Sequence, residues 1–142
     1  MPVPAIDEAT VKPIPPADGS FVVQHSMQLY EAMTQGQVAY FDESLGKLRL
    51  AQADDPTTAN GKYLIMQPGD ADSSVAVARS GDLVYLGSAV LTVGVAYYVD
   101  DTTAGDMVLW ADIASSAEIA IVGVAVTTSI LAFLPHYEGY TK

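Results

Sequence analysis

The chain has 142 residues, half of them apolar and 16% charged, and seventeen acidic against six basic residues give a net charge of −11. That length holds one domain with a single core, and the charge excludes nucleic-acid binding and adsorption to anionic membranes, which both demand clustered Lys and Arg. The absence of cysteine excludes disulfides, thiol catalysis and cysteine-ligated zinc.

The start, Met1-Pro-Val-Pro-Ala-Ile-Asp-Glu8, has neither the basic nor the apolar region of a signal peptide. Residues 1–20 hold five of the eight prolines. Proline fixes φ and donates no hydrogen bond, so this segment is expected to be an extended arm rather than a helix or a central strand. Such an arm is either a free terminus or a latch along a partner. The apolar residues Val11, Pro13, Ile14 and Pro15, with Phe21 just beyond the arm, are the partner-binding candidates there.

Residues 21–142 are expected to form one β domain. Phe21 to Tyr30 alternates as a strand to about Leu29, and Met27, Tyr30 and Met33 then suit a short helical turn. From Gly36 the turn signals are dense: Asp42-Glu-Ser-Leu-Gly46, Asp54-Asp-Pro-Thr-Thr-Ala-Asn-Gly61 and Gln67-Pro-Gly-Asp70 each follow an apolar run. Ser80 to Gly87 reads as a further strand. Ile119 to Leu134 is interrupted by Gly123 and Thr127-Thr-Ser129, too short for a membrane span of ~20 apolar residues, and reads as two strands around a polar turn. Val, Thr and Tyr favour strands. The fold class expected is all-β, a small sandwich or barrel.

That domain contains a duplication. Gly36-Gln-Val-Ala-Tyr-Phe-Asp42 is answered by Gly94-Val-Ala-Tyr-Tyr-Val-Asp100, each followed by a turn and a second run. Gly61-Lys-Tyr-Leu-Ile-Met66 then matches Gly123-Val-Ala-Val126, and Val75-Ala-Val-Ala78 matches Ile130-Leu-Ala-Phe133. The repeat therefore spans about 36–78 and 94–133. Two copies are too few for a solenoid, so a duplicated β-unit that closes on itself is the expectation.

Chemistry-bearing motifs are sparse. The pairs Asp54-Asp55, Asp70/Asp72 and Asp100-Asp101 offer the oxygens calcium needs, but none has EF-hand spacing, and each falls at a predicted turn that a carboxylate would cap. His25 and Ser26 are adjacent on a strand and face opposite sides, so they make no dyad. No nucleophile elbow or phosphate-cradling loop occurs. Neither catalytic, cofactor nor metal residues are assigned. Trp110 and the tyrosines could line a sugar platform, although strand aromatics more often serve a core or an interface. Of Tyr97 and Tyr98, one must point out of the core, and Tyr97 is the interface candidate.

The pattern Gly36-Gln-Val-Ala-Tyr-Phe-Asp42, Gly61, Ser80-Gly-Asp-Leu-Val84, Gly94 to Asp100, Ala104-Gly105, Ile121-Val-Gly-Val-Ala-Val126 and Ile130-Leu-Ala-Phe133 resembles the tailed-phage capsid decoration (cement) proteins. It covers roughly residues 32–135; residues 1–31 have no counterpart. The resemblance implies a non-enzymatic virion protein on the outer surface of the capsid, bound to the major capsid protein and stabilising the shell. It also implies a homo-oligomer, with a trimer favoured. The alternative from the residues is a carbohydrate- or receptor-binding module of a phage fibre or secreted protein.

Overall fold

A computed structural model describes residues 4–14 and 25–142. Short apolar runs separated by turn-forming residues give eleven strands among them: β1 (Lys12–Pro13), β2 (His25–Gln28), β3 (Val38–Asp42), β4 (Lys47–Leu50), β5 (Tyr63–Ile65), β6 (Ser74–Ala78), β7 (Leu83–Tyr85), β8 (Ala96–Val99), β9 (Met107–Val108), β10 (Glu118–Ala125) and β11 (Ile130–Thr141). The only helical pieces described are 3-10 turns at Glu8–Thr10 and Trp110–Asp112. The chain is an all-β sandwich of two antiparallel sheets.

The strand orders are β2-β6-β5-β3-β4 and β1-β7-β11-β10-β8-β9. Setting β1 aside, the second order is the first with every strand advanced by five, so the duplication is complete at the level of topology. It is also complete in register. Val38 pairs with Leu64 and Leu64 with Ala78, while Ala96 pairs with Val124 and Val124 with Ala132. Each unit begins one strand earlier than the repeat legible in sequence, at β2 and at β7. One sequence match also shifts: Gly123 pairs with Tyr97, whose counterpart Ala39 pairs with Tyr63, so Gly123 stands in the place of Tyr63 and not of Gly61.

Gly36 and Gly94 open the equivalent strands β3 and β8 with positive φ, 86° and 78°. Their amides donate to Ile65 and Ala125, again equivalent residues. Asp42 and Asp100 close those strands by accepting from the backbone N–H of Ser44 and Thr102, both at 3.0 Å. The same turn chemistry was thus kept in both copies.

The two sheets use their faces differently. In the first, Tyr30 N–H donates to Leu48 O at 2.9 Å and a parallel bridge joins Leu29 to Leu48, so the edge strands β2 and β4 meet. The sheet curls around an interior of Leu29, Met33, Ala39, Leu48, Ile65, Val75 and Val77. No helical turn forms after β2; residues 29–36 run as bends that carry Leu29 and Met33 into this interior. The second sheet lays the equivalent face, with Tyr97, Met107, Ala125 and Leu131, against the outside of the first, with Val38, Tyr40, Leu64, Met66 and Ala78. Backbone bonds stitch the layers: Val38 N–H to Gly105 O, Gly105 N–H to Ala51 O and Ala53 N–H to Asp100 O.

The described part of the proline-rich segment is fastened to the domain. Asp7 N–H donates to Leu86 O and Ile14 N–H to Leu83 O, and β1 runs antiparallel to β7. Pro13 is tolerated there because β1 is an edge strand. Val11 belongs to the main core at 5% exposure, beside Ile6. The expectation of an arm standing clear of the core is corrected for these residues: an apolar side chain at a sheet edge gains more by burial than by waiting for a partner.

Gly123 sits at a β-bulge shared by both neighbours of β10, and a Cβ there would overlap the Ala132 carbonyl oxygen. Gly123→Ala is expected to cost about 2 kcal/mol or more through backbone displacement. Gly94→Val, with open space around it but a left-handed φ, should cost about 1–2 kcal/mol. Val11→Ala should cost about 2 kcal/mol from lost burial and the void left behind. Chemical denaturation of the three variants checks these values, and an unchanged midpoint for Val11→Ala would detach residues 4–14 from the core.

Candidate interaction face

Alternation along β7, β8, β10 and β11 sends every second side chain away from the core. Cross-strand register then aligns these outward residues in rows. Tyr85 lies beside Ile130; Leu83, Ala132, Val124 and Ala96 run side by side across four strands; His136, Ile121 and Tyr98 form a third row, and Val108 beyond Tyr98 is buried under Ile113 and Ala117. Leu134 is exposed on the same side. Between β7, β8, β10 and residues 130–134 the sole charged residue is Glu118, which is buried and faces inward. An uncharged face four strands wide is unusual on a chain of net charge −11.

The face has a defined border. At one edge Lys12 lies 5.2 Å over the Tyr85 ring. At the other, the 3-10 turn holds Trp110, 46% exposed, against Tyr98 with ring centroids 5.5 Å apart. Lys142 lies 4.9 Å over the Trp110 ring and donates to the carbonyls of Trp110 and Ile113. Beyond Ala132, β11 continues to Thr141 with β10 on one side and, among the described strands, none on the other.

The residues singled out in sequence are dispersed around this face. Tyr97 is the inward member of its pair, 3% exposed, its hydroxyl accepting from Thr92 N–H at 2.9 Å. Tyr98 is the outward one, packed in part against Val108, Ile113 and Ala117. Val11 is committed to the core, while Pro13 and Ile14 are half-buried along the β1 edge. Pro15 and Phe21 lie outside the described residues. The outward rows went unnoticed because Ala, Val and Ile alternate there with equally apolar inward residues. The absence of charge, Glu118 apart, from β7, β8, β10 and residues 130–134 was the available signal.

In two of the acidic pairs one member caps a turn, Asp55 at Thr57 and Asp100 at Thr102. Asp55 accepts from the Thr57 hydroxyl and N–H, and those bonds, the hydroxyl first, hold its carboxyl below the usual range. Asp72 pairs with Lys47 at 2.6 Å. Asp106 is pushed up by burial and then by the charge of Asp100. Among the described residues no three His, Cys, Asp or Glu side chains stand close enough to hold a metal ion. His25 contacts Arg79 and His136 pairs with Glu138 at 3.2 Å, and among the described residues neither ring has a hydrogen bond with a serine or threonine hydroxyl.

The buried carboxylate of Glu118 accepts from the Tyr137 hydroxyl, and burial followed by that bond pushes the phenol up to about 12. Since the folded value exceeds the ordinary 10, the stability this phenol contributes is full below pH 10 and is lost as pH rises towards 12. Tyr137→Phe strips Glu118 of its donor and should cost about 1–3 kcal/mol at pH 7. The variant should also lose part of the wild-type decline in stability between pH 10 and 12, measured by denaturation across that range.

No protein-family model, no curated protein and no solved structure matches the chain.

Proposed function

We propose that this is a structural protein of a phage head, without turnover, that binds the outer surface of the capsid through the major capsid protein and stabilises the shell. The observation that carries the reading is the uncharged outer face of the second sheet. An apolar face on an otherwise acidic β-sandwich suits a protein that works among protein neighbours. The sequence resemblance to the decoration proteins supplies the identity of those neighbours. Self-association, as a homo-oligomer, belongs to the same proposal.

The physics of such a role is simple. A protein that binds the assembled shell and not its separated subunits stabilises the shell by mass action, as a ligand stabilises a fold. Repetition of the site over the shell lets modest contacts add up. Pro13 and Ile14 at the exposed sheet edge, followed in sequence by Pro15 and Phe21, are the proposed capsid contacts. Prolines there lower the ordering cost of binding.

A second reading, a carbohydrate-binding module, draws on the exposed Trp110 beside Tyr98. Its weakness is that Lys142 already lies over the indole.

Co-sedimentation of the purified chain with purified tailed-phage heads tests the proposal. The expected result is saturable binding at a fixed ratio near one copy per coat subunit, with heads made more resistant to heat. Absence of binding overturns it. Glycan-array binding that is lost in Trp110→Ala would put the carbohydrate reading in its place.

A further inference from the structure

We infer that the outer face of the second sheet is where a second copy of this chain docks. Three independent observations converge on that occupant.

The first is the duplication itself. The outward positions of the first sheet are Val38, Tyr40, Leu64 and Ala78, and all are sealed, at 0%, 8%, 0% and 3% exposure, because the second sheet covers them. Their counterparts by register are Ala96, Tyr98, Val124 and Ala132, which stay apolar yet are only half-buried. Met66 at 7% corresponds to Val126 at 46%. Among the described residues the same surface is built twice and fully covered once; in the second copy only the Tyr98 and Val108 corner is packed over, by Ile113 and Ala117.

The second is what remains available to cover it. Within the chain, the outer face of the first sheet is met by the inner face of the second. The inner face of the first sheet is filled by its own Leu29, Met33 and Leu48 and is closed by the β2–β4 junction. A neighbouring chain therefore has no inner face to offer. Its own uncharged outer face is the surface of matching character, and sheets pack well face to face through such residues.

The third is charge. Two chains of net charge −11 repel, and contact through most of either surface would desolvate carboxylates. This face buries none. Charged groups of both signs, Lys12, Asp82, Asp112, Glu138 and Lys142, stand around it as the polar rim of an interface does.

The test uses the full chain in solution. Sedimentation velocity at tens of micromolar should give a mass that is a multiple of 14.9 kDa. Val124→Lys and Ala132→Asp should each weaken self-association by more than about tenfold, with melting temperature and far-ultraviolet dichroism unchanged, since both positions face outward. Because the chain has no cysteine, a Val124→Cys variant gives a second measurement independent of those substitutions. A short bismaleimide should link its copies rapidly, whereas a Ser115→Cys variant, placed in the exposed 114–116 loop, should link slowly. A monomeric wild type at that concentration overturns the inference, as does a Val124→Lys variant with wild-type mass, or equal cross-linking at the two cysteines. Head binding is read separately: loss of co-sedimentation by Val124→Lys when the wild type is itself monomeric would assign the face to the capsid instead.

Discussion

Everything in this molecule depends on covering the outside of the first sheet. Val38, Tyr40, Leu64, Met66 and Ala78 are apolar residues on the face of a sheet whose other side is already full. Left to water they would forfeit roughly 25 cal/mol for each Å² exposed. The second sheet covers them with the face that, in the first, lines an interior. Tyr97 and Phe133 supply the bulk there, where the equivalent first-sheet positions carry smaller or differently aimed side chains. The stitches from Val38 and Ala53 to Gly105 and Asp100 fix the layers at one end, so the packing has a single register.

Two similar units thus play unlike parts. The first is closed, its edge strands joined through Leu29 and Leu48. The second is open, flanked by the two-residue strands β1 and β9. Short edges of that kind limit unwanted strand pairing, and β1 places a proline on one of them. Residues 4–14 do more than guard an edge. Ile6 and Val11 reach the Gly36 turn, where a Cβ would touch both side chains, and so the segment ties the end of the second sheet to the start of β3 in the first.

Much of this was legible in the residues, and the failures have physical causes. Turn chemistry at Asp42, Asp100, Gly36 and Gly94 announced the duplication because positive φ and Asx turns restrict the residues that can serve. The polar turn Thr127-Thr-Ser129 separated β10 from β11 as read, its Thr127 hydroxyl accepting from Ser129 and Ile130 N–H. Gly61 and Gly123 were paired wrongly because glycine at a bulge and glycine before a strand look identical in sequence. Tyr97 and Tyr98 could not be told apart, since alternation states that they differ in direction and not which one points inward. The helical turn expected after β2 gave way to tertiary packing, which drew Leu29 and Met33 into the curled sheet. The proline-rich start misled in the same way: its proline content said nothing about where Val11 would go.

The self-filled interior of the first sheet has a consequence for how the chain is made. Residues 25–77 contain all the side chains of that interior, so the unit can complete its own packing while the remainder is still being synthesised. The second unit has no such independence, because its inner face needs Val38, Tyr40 and Leu64 to pack against. Biosynthesis from the N-terminus therefore delivers the template before the part that must be moulded on it, and the order of the two copies along the chain doubles as an order of assembly in time.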